Sequence, residues 1–313
     1  MQNSFEINKK IGRGVSLGNA LEAPDEGEWG VKILPEYFKI IKDTGFSSVR
    51  IPIRWSAHVS DKNTFTINES FFLRIDSVVQ QALENNLIVI INVHHFNELY
   101  FHPFKYERMF YVLWEQISAR YKNQSQNLLF EILNEPHYFL TKRIWNKILK
   151  NVIPLIRKEN KERILLVGPA KWNNLEGLKA LEIPKEFENI IITFHYYKPF
   201  IFTHQGGEWV KFSNLFLGKQ WKGSAKEIQK IEKHFIKIKQ WGIENNLPIN
   251  LGEFGAYHKA DIVSRIKWTT AVSEIAEKNG FSLIYWEFGA GFGIFDVNKN
   301  MWKNDLLSSI IKK

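Results

Sequence analysis

Two glutamates occupy positions from which they could act together on one bond. Glu135 lies in Asn-Glu-Pro (134–136) and Glu253 in Gly-Glu-Phe-Gly (252–255), and each follows a short apolar run. Hydrolysis of a glycosidic bond needs one carboxylic acid that protonates the leaving oxygen and a second carboxylate that attacks or activates water. An isolated glutamate is more often the partner of a lysine. The evidence for catalysis is therefore that both sequence motifs occur in one chain. The sequence therefore predicts a pair of catalytic carboxyl groups.

Other polar residues lie inside apolar runs or at their ends. Arg50 lies within the apolar run 49–53, where a solvent-exposed arginine is not expected. Because the runs themselves are mostly apolar, each such side chain either faces a shared mouth or is buried at a cost in free energy. The residues of this group are Arg50, His94, His95, Asn134, His195, Tyr197, Trp286 and Glu287.

Short runs rich in Ile, Val, Leu and Phe alternate along the chain with longer amphipathic segments. Runs of this composition are typical of strands buried on both faces of a parallel sheet. Pro35 and Gly45 are start and stop signals for the first helix, and Gly280 ends the helix before the last strand. The predicted strands are 15–17, 48–53, 87–93, 128–133, 164–167, 190–195, 248–251 and 282–286, and the clearest predicted helices are 35–43, 69–84, 104–121, 141–159, 226–244 and 261–279.

This alternation predicts an α/β fold, a single (β/α)8 TIM barrel whose one domain spans residues 1–313. A doubly wound open sheet is the structural alternative, and the missing glycine-rich turn after the first strand disfavours it. In such barrels the reacting groups gather at the carboxyl ends of the strands. Strands four and seven lie on opposing sides, so Glu135 and Glu253 are expected to face each other. A separation of about 5–5.5 Å would indicate retention of configuration through a covalent intermediate.

Composition disfavours several other classes of protein. Of the 313 residues, 44% are hydrophobic and 24% charged, as is ordinary for a globular protein. The net charge of +9 comes from scattered lysines, so we expect no nucleic-acid partner. The chain has no cysteine, hence no disulfide, and no apolar run long enough to cross a membrane. Residues 1–10 lack the apolar stretch of a signal peptide, so the protein is expected to stay in the cytoplasm unless its leader is missing from this sequence.

The motifs together resemble glycoside hydrolase family 5, the retaining barrel glycosidases that include many endoglucanases and mannanases. The resemblance runs from Gly12 to the last helix and is strongest to compact endoglucanases of thermophilic bacteria, some of which also cut mannans. The segments that carry it are Leu-Gly-Asn-Ala-Leu-Glu-Ala-Pro (17–24), Val-Arg-Ile-Pro-Ile-Arg-Trp (49–55), Asn-Val-His-His (92–95), Phe-Glu-Ile-Leu-Asn-Glu-Pro (130–136), Phe-His-Tyr-Tyr (194–197), Gly-Glu-Phe-Gly (252–255) and Tyr-Trp-Glu-Phe (285–288).

The resemblance implies a role for each residue of the central group. Glu253 is expected to be the nucleophile, kept ionised by Arg50 and by a hydrogen bond from Tyr197, because a nearby cation lowers the pKa of a carboxyl group. Glu135 is expected to be the acid/base, with a higher pKa that falls once Glu253 is esterified. Asn134 is expected to hold the sugar 2-hydroxyl.

Further residues are expected to orient the reacting groups or to bind sugar. His94 and His195 would orient the glutamates, and Trp286 would form the floor beneath the sugar, with a place in the core as the alternative. Glu131 lies within a strand and is expected to pair with an arginine. Outer sugar contacts, with loop packing as the alternative, are expected from Asn19, Glu22, His95, Trp172, His204, Trp209 and Glu287.

Three other functions stand beside this interpretation. A metal-dependent hydrolase would use His94, His95 and His195 with a carboxylate, but adjacent strand residues point to opposite faces and no His-Glu-x-x-His spacing occurs. A non-catalytic carbohydrate-binding barrel could lose either glutamate, and both are present. A hydride-transfer enzyme would need phosphate-binding glycines, of which Gly12-x-Gly14 is only a fragment.

The sequence favours a retaining endo-β-1,4-glucanase that acts on a β-1,4-linked polysaccharide or oligosaccharide. Mannan and glucomannan are expected second substrates, and a dedicated β-mannanase stays open as the alternative. The preference depends on the 2-hydroxyl, axial in mannose and equatorial in glucose, near which Asn134, His95 and Glu22 are expected. We expect no cofactor, no bound metal, no membrane association and a monomeric state.

Overall fold

Eight parallel strands close into a barrel in the computed structural model, which describes residues 3–312. Neighbouring strands along the chain pair in parallel, and the last returns to pair with the first. This confirms the predicted (β/α)8 fold. The strands are β1 (Arg13–Ser16), β2 (Ser48–Ile51), β3 (Ile88–Asn92), β4 (Leu128–Glu131), β5 (Leu165–Val167), β6 (Ile190–Tyr196), β7 (Ile249–Phe254) and β8 (Ser282–Tyr285).

The helices that surround the barrel begin and end with the expected signals. Pro35 opens the helix Pro35–Thr44, and Gly45, at φ 109°, ends it in the left-handed conformation that glycine adopts easily. Ser224 and Glu227 form a capping box at the start of the longest one. The helices are α1 (Ser4–Ile11), α2 (Pro35–Thr44), α3 (Glu69–Glu84), α4 (Asn97–Phe101), α5 (Pro103–Arg120), α6 (Lys142–Glu159), α7 (Leu175–Leu178), α8 (Phe200–Thr203), α9 (Ala225–Asn245), α10 (Ile262–Lys278) and α11 (Asn304–Leu307).

The alternation is less regular than predicted. The link between β5 and β6 contains only the four-residue α7, and a short α11 follows β8. The prediction also lacked α1, which covers the amino-terminal end of the barrel. Asn8 of this helix donates a hydrogen bond to the carbonyl of Ile249 and accepts one from Ser282. Residues 1–2 and 313 of the predicted domain lie outside the described residues.

The apolar core consists of two layers, one outside the barrel strands and one inside them. The larger lies between the strands and the helices. The smaller fills the lower barrel and combines residues of α1 with inward-facing strand residues such as Ile90 and Leu129. Because successive strand residues alternate in direction, Arg50 points inward between Val49 and Ile51, which both pack in the outer layer. No helix within residues 3–312 is long and apolar enough to cross a membrane.

Candidate active site

The guanidinium group of Arg50 is the centre of a polar layer in the barrel mouth. Its Nε and Nη2 atoms donate to the two carboxylate oxygens of Glu131 at 2.6 and 2.9 Å. Its Nη1 donates to Oε1 of Glu253 at 2.7 Å, and Nη2 also donates to Oδ1 of Asn134 at 2.8 Å. Arg50 and Glu131 are each only 1% exposed. One buried cation on β2 therefore fixes three acceptor groups, two from β4 and its end and one from β7.

A single imidazole ring lies between the two glutamates. Nδ1 of His195 is 2.7 Å from Oε1 of Glu135 and 3.4 Å from Oε2 of Glu253. One oxygen from each carboxyl group and this nitrogen all lie within 4.8 Å of one another. The two carboxyl groups are therefore close together, as in retaining glycosidases, in which they are about 5–5.5 Å apart, whereas in inverting ones they are about 6.5–9.5 Å apart.

Solvent reaches the two carboxyl groups differently. The side chain of Glu135 is 23% exposed and that of Glu253 is 7% exposed. Burial raises the pKa of Glu135 to about 8, against the opposing charge of Arg50. This suits a group that must hold a proton near neutral pH.

The pKa of Glu253 departs from what the sequence suggested. Burial raises it, and the charges of His195 and Arg50 and the hydroxyl of Tyr197 only partly offset that rise. The expectation of a lowered pKa was therefore wrong, because it counted the cation without the loss of water. Arg50 nevertheless donates to Glu253 and not to Glu135, which favours the ionised form of Glu253.

Tyr197 and its support hold the second oxygen of Glu253. The hydroxyl of Tyr197 donates to Oε2 of Glu253 at 2.9 Å. Thr203 donates to the carbonyl of Tyr197 at 2.6 Å, and the ring of His204 packs edge-on against that of Tyr197 at 4.8 Å. His204 is almost fully buried. It packs against the ring of Tyr197, and its expected outer sugar contact stays a prediction.

The backbone around Glu135 is held in an unusual conformation. Glu135 has φ 46°, in the left-handed region that residues other than glycine rarely adopt. The hydroxyl of Tyr100 donates to the carbonyl of Asn134 at 2.5 Å, immediately before it. The ring of Tyr100 also packs on His137, at 4.2 Å. Two buried contacts thus stabilise a turn that directs the carboxyl group into the mouth.

Trp286 lies at the edge of the cleft floor. Its ring is partly buried, stacks parallel to His94 at 5.9 Å, and lies 6.0 Å from the guanidinium carbon of Arg50. Gly18 allows this position, since a Cβ there would lie 2.7 Å from the ring. The peptide bond between Trp286 and Glu287 is cis. Because the ring keeps exposed surface, it is available to a sugar and is not a core residue.

Two of the expected sugar contacts are buried beneath the mouth. Glu22 accepts hydrogen bonds from the backbone N–H groups of Asn19 and Ala20, and Glu287 accepts them from Ala290 and Phe292. Burial raises the pKa of Glu22 to about 8 and that of Glu287 to about 7. These carboxyl groups hold the backbone of the loops around them, and their expected contact with sugar stays a prediction.

Three other expected contacts do reach the surface of the cleft, and Asn19 lies partly exposed near them. His95 is partly exposed, has φ 49°, and meets the edge of Trp29 at 5.6 Å. Trp172 is 44% exposed and stacks on His137. Trp209 is 59% exposed and packs against Tyr257 on another side of the mouth.

The sequence argued against one metal ion bound by both His94 and His95, on the assumption that both residues lie in a continuous strand. β3 ends at Asn92, and the rings of His94 and His95 lie only 4.5 Å apart. Within residues 3–312, the carboxylate and histidine groups that converge closely enough to hold an ion are Glu135, His195 and Glu253. A metal held by these three groups would occupy the space between the two predicted catalytic carboxyl groups.

Two supporting residues were not predicted. Tyr100 lies in the five-residue helix α4, and nothing in the sequence of so short a helix predicts its hydrogen bond to the carbonyl of Asn134. Asn173 is fully buried, has φ 50°, and its side-chain nitrogen lies 3.4 Å from Nε2 of His195. The stretch Lys-Trp-Asn-Asn (171–174) predicts a loop. The one recognisable signal in it is asparagine, which adopts positive φ angles more readily than most residues.

Known proteins are similar to this chain in sequence and in overall fold. The family profile described as Cellulase (glycosyl hydrolase family 5) matches residues 9–291. The chain belongs to glycosyl hydrolase family 5. Endoglucanase H of Acetivibrio thermocellus is 35% identical to this family 5 chain over 302 residues, which is 96% of the chain but 32% of that protein. The chain thus spans about a third of the length of this relative.

Solved structures of family 5 members align over nearly the whole chain. Cel5A of Thermotoga maritima in complex with mannotriose is 47% identical, with a TM-score of 0.97, and the match covers 99% of this chain and all of that one. The same values hold for Cel5A in complex with cellobiose. The cellulose synthase subunit Z of Clostridioides difficile is 40% identical, with a TM-score of 0.94, over 96% of this chain and all of that one.

Proposed function

We propose that this family 5 chain is a retaining endo-β-1,4-glucanase in which Glu253 is the nucleophile and Glu135 the acid/base. The observation that carries the proposal is the short separation of the two carboxyl groups, with one oxygen of each within 4.8 Å of the other. A short spacing favours direct attack by one carboxylate over activation of a water, because inverting enzymes hold the two groups about 6.5–9.5 Å apart to make room for that water. The glutamate that faces the anomeric carbon is then the nucleophile.

In the first half-reaction Glu253 forms a bond to the anomeric carbon while the glycosidic bond breaks. Glu135 gives its proton to the departing oxygen, which its raised pKa and its exposure favour. In the second half-reaction Glu135 removes a proton from water, which displaces Glu253 from the same carbon. Two inversions restore the original configuration.

The neighbours of Glu253 control its charge and the position of the sugar. Arg50 and Tyr197 donate to separate oxygens of the carboxylate, so its orientation is fixed before the attack. The side-chain N–H group of Asn134 is free to meet a 2-hydroxyl, since Oδ1 already accepts from Arg50. Trp286 then lies against the apolar face of the same sugar.

The substrate class rests on the relatives. Endoglucanase H is named for cleavage inside glucan chains, and Cel5A of Thermotoga maritima has been solved with both cellobiose and mannotriose. We therefore propose β-1,4-glucan as the main substrate, with mannan and glucomannan as further substrates. Cleavage inside the chain is part of the proposal, as is action as a monomer.

The experiment compares wild type with Glu253→Gln on carboxymethylcellulose, glucomannan and galactomannan. We expect a fast fall in viscosity per new reducing end with wild type and none with the variant, and the rates would rank the three substrates. Glu36→Gln, at an exposed position of α2, is the matched control and should behave as wild type. A folded wild type that leaves all three polymers intact would contradict the proposal and favour a barrel that binds sugar without cutting it.

A further inference from the structure

Three exposed aromatic rings form a corner on the Glu135 side of the cleft. Phe101 and Tyr138 are stacked with their ring centroids 4.6 Å apart, and Trp172 stands nearly perpendicular to Tyr138 at 5.6 Å. They are 42%, 56% and 44% exposed, in that order. We call these three rings the aromatic corner. Contiguous exposed apolar surface of this kind marks a binding site more often than chance.

The corner is built on loops that also hold the acid/base. Tyr138 follows Glu135 by three residues, and the N–H of Trp172 donates to the carbonyl of Pro136. His137 lies beneath, with its ring stacked on Trp172 at 4.8 Å. Phe101 ends α4, the helix whose Tyr100 holds the carbonyl of Asn134. The corner therefore continues directly outward from the catalytic carboxyl group.

The backbone that presents these rings is strained. Tyr138 has φ 51°, and the three consecutive residues Lys171, Trp172 and Asn173 have φ 69°, 57° and 50°. Each non-glycine residue in this region has a free-energy cost, and for a bulky ring such a conformation is uncommon. Both loops that carry the aromatic corner contain residues with this unfavourable backbone conformation. Strain of this kind is concentrated at ligand-binding positions.

The position of the corner indicates which part of a substrate it meets. Arg50, Asn134 and Trp286 surround the sugar that Glu253 would attack. Glu135 gives its proton to the sugar on the other side of the bond, so whatever lies beyond Glu135 contacts the leaving part of the chain. From Pro136, next to Glu135, contacts lead to Trp172, from Trp172 to Tyr138, and from Tyr138 to Phe101.

We propose that Tyr138 and Phe101 form an additional sugar-binding subsite that holds the leaving end of a β-1,4-linked glucan beyond Trp172. The occupant is a glucan chain because the surface is continuous with the cleft. Flat aromatic rings also match the apolar faces of pyranose rings, while the hydroxyl of Tyr138 supplies a polar group. This inference rests on the proposed function.

The test measures kcat/KM on an aryl β-cellobioside, which has no sugar on the leaving side, and on cellohexaose. Tyr138→Asn removes the ring with a residue that tolerates the left-handed backbone. We expect the ratio of cellohexaose to aryl cellobioside to fall about tenfold, the scale of losing one aromatic anchor from a contact surface. Phe101→Ala should lower the same ratio by a smaller factor.

Phe5→Ala is the control, because Phe5 is 42% exposed on α1 at the opposite end of the barrel, and its ratio should equal that of wild type. An unchanged ratio in Tyr138→Asn, or equal losses on both substrates, would overturn the subsite, since equal losses mean that Tyr138 only supports the Glu135 loop. A wild type inactive on both substrates would instead refute the proposed function. Calorimetric titration of cellohexaose into Glu253→Gln, with and without Tyr138→Asn, should show the same loss in affinity.

Discussion

Arg50 and Glu253 form an ion pair of 2.7 Å inside the barrel mouth, where their side chains are only 1% and 7% exposed. The same guanidinium group binds Glu131 with two further hydrogen bonds. Two carboxylates therefore share one buried cation. Glu131 lowers the cost of burying Arg50, and Arg50 in turn orients Glu253 for attack.

Removal of the charge on Glu131 should destabilise the fold. Glu131→Gln leaves Arg50 buried with less compensation, and loss of one partner from a buried pair costs about 3–5 kcal/mol of unfolding free energy. Urea unfolding followed by circular dichroism measures this change. Asp43→Asn breaks the exposed pair with Lys39 and should cost at most about 0.5 kcal/mol. Equal costs in the two variants would show that Glu131 is not a structural partner.

The rate of cleavage should fall as pH rises through about 8. Burial raises the pKa of Glu135 to about 8, and the proton that it holds below this pH is the one given to the leaving oxygen. The pH profile of kcat/KM on cellohexaose measures this alkaline limb. In Glu135→Gln the limb should disappear along with most of the rate. A limb that stays in place in this variant would assign it to another group.

Stability should also fall with pH, and Glu22 should account for part of that fall. Burial raises the pKa of Glu22 from 4.5 to about 8, although backbone N–H groups lower it in part. The native state then holds a proton that the unfolded chain releases, so the unfolding free energy decreases as pH rises from about 4.5 to about 8. Urea unfolding at both ends of this range measures the slope.

Glu22→Gln should make that slope shallower, because glutamine has no proton to lose. Glu36→Gln, on the exposed side of α2, should leave the slope unchanged. A slope in Glu22→Gln as steep as in wild type would mean that Glu22 is ionised in the native protein.

Catalysis should be sensitive to a single methyl group added at Gly18, next to the ring of Trp286. In Gly18→Ala the new Cβ would lie 2.7 Å from the ring of Trp286, which stacks on His94 and has little room to yield. We expect a fall of about tenfold in kcat/KM, since a displacement of this size at a positioning group can cost up to about a hundredfold. Steady-state kinetics on cellohexaose measures it, with thermal unfolding as the check on folding. Unchanged kinetics would show that Trp286 does not contact the sugar.

Much of this site could be predicted because strand ends leave clear patterns in sequence. Arg50, Glu135 and Glu253 each follow or interrupt an apolar run, and a parallel barrel brings such positions together. The family resemblance then supplied their roles, and the match to glycosyl hydrolase family 5 confirms the family. Which residues act catalytically stays a prediction.

The other features of the site could not be predicted, because they depend on burial and on backbone angles that short sequence patterns do not specify. For Glu22, Glu287 and His204 the sequence left sugar contact and loop packing open, and it gave no sign that all three side chains are buried. His95 was expected to point away from His94, yet the strand ends two residues earlier. For Glu253 the sign of the pKa shift followed from the loss of water, which only the folded environment reveals.

Azide rescue tests most directly whether Glu253 attacks the sugar and whether Glu135 donates and then accepts the proton. Glu253→Ala leaves a space beside the anomeric carbon, so azide should restore cleavage of an aryl β-cellobioside and give the α-glycosyl azide. Glu135→Ala keeps the covalent intermediate, so azide should give the β-glycosyl azide. Magnetic resonance of the two products decides between the roles. The reverse pattern, or full activity of Glu253→Ala without azide, would contradict the account.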